Sequence, residues 1–229
     1  MQKVIGEGAQ AKVLLAKHLL TKNTFAIKVI DRRHISATMG NSYIEPQLTS
    51  KMAMELMTCS QLVQVYDVFE DESNYYIVME YLASGTLFDY LSKVVKQPLG
   101  EKEASAIVKQ VSIALQTLHE HNIIHRDVKL DNVLFDGKTG VCKLADFGAA
   151  VQLKSTSATE SMVIGTRGYF APEMLQDTCS WYDIAVDVYS LGALMHVLLT
   201  IKLPFMDSKQ SRNEYVARVL NEPLNLEAN

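Results

Sequence analysis

His125-Arg126-Asp127-Val128-Lys129-Leu130-Asp131-Asn132 decides how the rest of the chain is read. In an arbitrary octet, charge this dense marks a solvated loop. The order and spacing argue otherwise, because His-Arg-Asp followed after four residues by Asn is a specific pattern. Upstream, residues 101–120 place Ala104, Ile107, Val108, Val111, Leu115 and Leu118 at three- and four-residue steps, which predicts an amphipathic helix. Downstream, 133–135 and 142–144 predict two short strands around a turn at Asp136-Gly137. Asp146-Phe147-Gly148 comes next, then Gly165-Thr166 and Ala171-Pro172-Glu173. Any one of these tripeptides is weak evidence by itself.

Toward the N-terminus the periodicity changes. Residues 12–16, 24–30, 63–69 and 75–79 are rich in Val, Ile, Phe and Tyr and predict strands. The polar break Asp71-Glu72-Ser73-Asn74 predicts a hairpin turn between the last two. Gly6-Glu7-Gly8-Ala9-Gln10-Ala11-Lys12-Val13 lies between two strands, and its glycines let backbone N–H groups approach phosphate oxygens. Alone, its more ordinary reading is a plain hairpin. A strand follows it, so it is not a dinucleotide-binding turn, and the G-K-[ST] ending of a Walker loop is missing. Lys28, in Phe25-Ala26-Ile27-Lys28, occupies an apolar strand, where lysine usually faces solvent or an edge. One hairpin after a glycine-rich turn, it is also placed to meet phosphates that the turn covers. Strands give way to helices near 81–85. Residues 185–199 are apolar nearly all round and predict a core helix, and 214–220 predict a short one.

The 229 residues carry a net charge of −4 and are 48% hydrophobic. That composition supplies a sizeable core and argues against disorder. It also argues against a nucleic-acid surface, which needs clustered positive charge. No apolar run approaches the ~20 residues of a membrane helix, and the N-terminus lacks a signal-peptide layout. Cys59, Cys142 and Cys179 are widely spaced without metal-ligand pairing, which suits a reducing compartment. Cytoplasmic location is the expectation, and nuclear residence would leave the same composition.

The motifs together, in this order, resemble those of eukaryotic protein kinases, and the resemblance covers essentially the whole chain. It implies an α+β, two-lobed protein kinase fold over 1–229. The expected parts are a small antiparallel-sheet N-lobe in 1–80, a hinge at 81–85, and a mainly helical C-lobe in 86–229 that is shortened at its end. ATP and Mg²⁺ are the implied cofactors, with ATP in the crevice between the lobes, and the implied partner is a protein with a Ser or Thr acceptor. By resemblance, Ile5, Gly6, Gly8, Val13, Ala26, Lys28, Met79, Glu80, Leu82, Leu134 and Asp146 bind ATP. Lys28 would contact the α- and β-phosphates, Met79 would guard the back of the adenine pocket, and the backbone at 80–82 would pair with adenine. Asp146 and Asn132 would hold Mg²⁺. Asp127 would orient the attacking hydroxyl and accept its proton. Orientation is its larger part, since a carboxylate with a pKa near ~4 is a weak base at neutral pH.

Lys129 and Thr166 resemble the serine/threonine pattern, with the Thr166 hydroxyl placed to bond both Lys129 and Asp127. Gly-Tyr-Phe-Ala-Pro-Glu and Gly85-Thr86-Leu87-Phe88-Asp89-Tyr90 lean toward calcium/calmodulin-dependent-like kinases. Arg126 is suited to bind a phosphate on the activation segment, with Thr159 or Ser161 as the expected site in an otherwise polar loop. Asp187 matches a family aspartate that anchors the catalytic loop. Two positions depart from the pattern. Ala11 replaces the third glycine of the loop, a mild change. The helix glutamate expected opposite Lys28 is ambiguous. Glu45 is at a suitable distance, but Pro46 follows it, and a proline inside a helix costs about 3 kcal/mol. A gap-free count reaches Ser50 instead, which would leave the ion pair absent, and Glu55 stands close to the next strand. The expected function is a serine/threonine protein kinase. The alternative is a pseudokinase or nucleotide-binding scaffold without transfer activity.

Overall fold

Strand β3, Thr24–Asp31, organises the first part of the chain. Its alternation sends Ala26, Lys28 and Ile30 to one face. The computed structural model describes residues 3–7, 11–33, 45–56, 58–154, 160, 162–176 and 182–224, with backbone alone at 53 and 54. The chain divides into two compact units, Met1–Ala83 and Ser84–Asn229.

Among the described residues, the first unit is an antiparallel five-stranded sheet with one substantial helix. The strands are β1 (Lys3–Glu7), β2 (Ala11–Lys17), β3, β4 (Val65–Glu70) and β5 (Asn74–Glu80), in the order β1-β2-β3-β5-β4. Val63 precedes β4, so that strand starts later than its composition predicts. Leu62, in an isolated bridge, and Val63 are buried just before it, and neither belongs to the β4–β5 ladder, which begins at Val65. The register sets Val13, Lys28 and Ile77 side by side, and Leu15, Ala26 and Met79 in the neighbouring row. All six therefore share a face. Ile30, Val65 and Ile77 form its buried cluster, with Met79 packed against them.

Helix α1, Glu45–Glu55, packs on β4 and β5. Leu48, Met52 and Leu56 are buried at four-residue steps, each contributing about 2 kcal/mol of apolar burial. Pro46 does not break the helix, because it follows Glu45 in the first turn, the one place where a proline is tolerated. N–H groups there have no intrahelical partner, so a residue lacking one removes nothing.

The second unit is mainly helical. Thr86 and Asp89 form a reciprocal cap on the short helix Leu87–Asp89. Helix α2, Glu101–Glu120, has Glu101 and Glu103 in its first turn, where they complement the helix dipole. Its buried stripe of Ala104, Ile107, Val111, Leu115 and Leu118 packs on helix α3, Ala185–Thr200, and on the hairpin of β7 (Val133–Asp136) and β8 (Val141–Leu144). The two-residue strands β6 (Ile123–Ile124) and β9 (Val151–Gln152) also pair. Helix α4, Arg212–Asn221, is capped by Ser211 and Glu214. Helix α3 is less uniformly enclosed than its sequence predicts. Val188 is 59% and Met195 43% exposed, whereas the carboxylate of Asp187 is fully buried. No helix among the described residues is long and apolar enough to cross a membrane.

If Pro46 stands in the first turn, Pro46→Ala changes stability by less than about 1 kcal/mol in urea denaturation. A gain near ~3 kcal/mol would instead place the proline in a helix interior.

Candidate active site

In the first unit the site is built on the face that carries Lys28. The Lys28 Nζ lies 2.5 Å from Glu45 Oε1, with side-chain exposures of 12% and 3%. Helix α1 therefore supplies the partner that the sequence left ambiguous, and Ser50 and Glu55 do not take that place. Two charges this enclosed require each other, since removing one partner of a buried pair typically costs about 3–5 kcal/mol. Val13 flanks Lys28 across β2, and Ala26 and Met79 pair in the next row. Gly6 stands opposite Val13 beside a bulge in β1, and Ile5 is exposed. Glu80 is turned back on the chain, its carboxylate accepting from the Gln64 amide at 2.7 Å. Among the described residues, no backbone bond outside the regular elements involves Leu82. Gly8 lies outside the described residues.

In the second unit the decisive group is the carboxylate of Asp187. It accepts the amides of His125 and Arg126, each at 2.8 Å, and its Oδ2 is 2.9 Å from His119 Nε2. Helix α3 thereby holds the loop after β6 by its backbone. His125 fastens the next layer. Its Nδ1 accepts the Asp127 amide at 3.3 Å, which leaves Nε2–H to donate to the Ala145 carbonyl at 3.1 Å. Its ring meets Phe147 edge-on, with centroids 5.5 Å apart. Arg126 (φ 65°) and Asp146 (φ 63°) adopt left-handed backbone that non-glycine residues seldom use. Strain of that kind persists where surrounding contacts over-determine it.

Asp127 is the convergence point. Its Oδ1 accepts the Thr166 hydroxyl at 2.6 Å, and its Oδ2 lies 2.8 Å from Lys129 Nζ and 3.0 Å from Asn132 Nδ2. Lys129 also donates to Thr166 Oγ1 at 2.7 Å, closing a ring of three side chains. Thr166 reaches this ring because Gly165 (φ 132°) passes close to the Arg126 carbonyl. A Cβ on Gly165 would stand 2.4 Å from that oxygen, so a larger residue would push the segment away.

Asn132 spends its amide N–H groups on Asp127, and none of its described bonds uses Oδ1. Asp146 is exposed on the neighbouring segment, which is tied to Asn132 by an Ala145 N–H to Asn132 carbonyl bond of 2.8 Å. One carboxylate and one amide oxygen fit a hard cation that takes its remaining oxygens from water and phosphate. No group of three or more His, Cys, Asp or Glu side chains that could hold a metal occurs among the described residues. Leu134 lies in β7 and bridges to Thr86.

Thr159 and Ser161 lie outside the described residues. Between them, Glu160 is the residue placed against Arg126, with its Oε2 3.7 Å from Nη1. Glu160 and Tyr182 were not anticipated from the sequence. Their approach joins distant segments, and a glutamate in a polar loop carries no signal of it.

The protein kinase domain family matches residues 1–226. "Serine/threonine-protein kinase PLK4" of Drosophila melanogaster is 36% identical over 217 residues, covering 92% of this chain and 27% of that protein. The Drosophila simulans protein of the same name shows the same figures, and that of Drosophila grimshawi is 35% identical over the same length. The chain thus spans 27% of the length of these curated relatives.

Asp187→Ala leaves two enclosed amides without an acceptor. The expected loss is about 3 kcal/mol of stability in urea unfolding, and a change below ~1 kcal/mol would show that the loop does not depend on this carboxylate.

Proposed function

The chain belongs to the protein kinase domain family, in its serine/threonine type, and on that premise we propose that it transfers the γ-phosphate of ATP to serine and threonine hydroxyls of a protein acceptor. The observation that carries this reading is the environment of Asp127, whose carboxylate is held by Thr166, Lys129 and Asn132. A carboxylate offers about four lone-pair sites. The three occupied ones fix its plane and leave room for one more donor, the acceptor hydroxyl. Asp127 orients that oxygen toward the γ-phosphorus and takes its proton as the new O–P bond forms. The bond to the bridging oxygen breaks, and ADP departs with the electron pair. The Lys129 ammonium, 2.8 Å from the carboxylate, is proposed to offset negative charge on the phosphoryl group being transferred.

Proteins of this family generally use Mg²⁺, which neutralises phosphate oxygens when bound. Asn132 Oδ1 and the Asp146 carboxylate are the groups proposed to hold it. Lys28, kept extended by Glu45, is proposed to meet the α- and β-phosphates, and Gly6 and Gly8 to cover them with backbone amides. Ile5, Val13, Ala26, Met79 and Leu134 are proposed to line the adenine site, with the backbone of Glu80 and Leu82 pairing with the base. Against the alternative of nucleotide binding without transfer, the 2.5 Å ion pair of Lys28 with Glu45 supports the transfer reading.

Labelled ATP, Mg²⁺ and a serine/threonine-rich protein test the proposal. Wild type is expected to incorporate label. Asp127→Asn should lose at least ~10²-fold in rate while still binding ATP. Thr166→Val should lose about tenfold, since it removes one bond of the ring. No incorporation by a folded, ATP-binding wild-type chain would shift the reading to a pseudokinase.

A further inference from the structure

Among the described residues, Arg126 is an enclosed cation that the transfer chemistry leaves unexplained. The Arg126 side chain is 7% exposed. A guanidinium taken out of water is tolerated where acceptors and an opposite charge surround it. Its Nε–H donates to the Ala149 carbonyl at 2.5 Å and its Nη1 to the Tyr182 hydroxyl at 3.3 Å. Both acceptors are neutral, and the negative charge facing Nη1 at 3.7 Å is Glu160.

Glu160 is itself held in place. Its amide and carbonyl exchange two 2.8 Å bonds with the carbonyl and amide of Tyr182. Its carboxylate also accepts the Met162 amide at 3.1 Å. The Tyr182 hydroxyl closes the knot by donating to the Met162 carbonyl while accepting from Arg126. Burial pushes the Tyr182 pKa up, which keeps that donor protonated at neutral pH. Beneath lies the apolar cluster of Ile124, Leu153, Ala171, Met174, Tyr182 and Val186. The charge contact therefore joins two segments on a packed base, and Arg126 directly precedes Asp127.

We infer that Glu160 is a positioning residue that supplies from within the chain the negative charge Arg126 requires, so that the segment bearing Glu160 and Met162 docks on the catalytic loop without phosphorylation. The inference rests on the proposed transferase reading for its consequence, faster transfer, but not for the docking itself. Arginine takes a carboxylate or a phosphate through the same charge-assisted contacts. A phosphate at Thr159 or Ser161 would then add to a contact that already exists and would not create it.

The test uses the full chain after protein phosphatase treatment, with removal of phosphate confirmed by intact mass. Two readouts are taken: label transfer, and hydrogen exchange of peptides containing the amides of Glu160 and Tyr182. Dephosphorylated wild type is expected to keep both its transfer rate and its slow exchange, and Thr159→Ala with Ser161→Ala to behave alike. Glu160→Gln, which keeps the shape and removes the charge, should lose about tenfold in kcat with little change in KM for ATP, and exchange about tenfold faster at both amides. Glu160→Asp should recover part of each. Tyr182→Phe should release Met162 without opening the core, giving a second variant should Glu160→Gln fold poorly. Exchange in Glu160→Gln equal to wild type would overturn the inference, as would loss of protection on dephosphorylation. A wild type that transfers no label but shows the exchange difference would refute the transferase reading and leave the docking role standing.

Discussion

A single buried carboxylate sets the geometry of the second unit. Asp187 is fully enclosed, and its oxygens are answered by the amides of His125 and Arg126 and by His119. An enclosed charge without such donors would cost several kcal/mol, so carboxylate and loop stabilise one another. The left-handed backbone of Arg126 is maintained by this grip. The turn it produces aims Asp127 at Thr166, Lys129 and Asn132. Helix α3, whose buried residues are otherwise chiefly apolar, contributes this acid, which holds the loop by two backbone amides.

The same requirement recurs at other enclosed charges among the described residues. Lys28 and Glu45 meet on the first unit's sheet and helix, each enclosed and each answered. Arg126 is answered by Glu160 with help from Tyr182. Lys129 and Asp127 are answered by one another and by Thr166. These pairs contribute little net stability, because desolvation offsets most of the Coulomb gain. Their value is geometric: each forbids the alternatives in which one member is left buried alone. A site that works through alignment and charge placement needs that kind of specification more than it needs strength.

Much of this was legible beforehand, for reasons that differ by residue. Helix α2 was legible to its ends because apolar residues at three- and four-residue steps survive in one dimension. Asp127, Lys129, Asn132 and Asp146 were legible as ordered motifs, and the Thr166 contacts followed from their resemblance. The partner of Lys28 was not settled, because Pro46 is harmless in a first turn and ruinous three residues later, and the sequence does not mark where α1 begins. The exposure of Val188 and Met195 was hidden as well. Composition reports how apolar a helix is, and packing decides which sides are covered.

The sequence by itself determined the succession of strands and helices and the ordered motifs that mark the protein kinase domain family, because these rest on local periodicity and on residue types at short fixed spacings. Only the tertiary structure decided which acid meets Lys28, that Glu160 and Tyr182 close over Arg126, and that Asn132 turns its amide to Asp127. Those contacts join residues far apart along the chain. Their distances are fixed by sheet register, helix starts and the close passage of Gly165, which no local pattern of residues encodes.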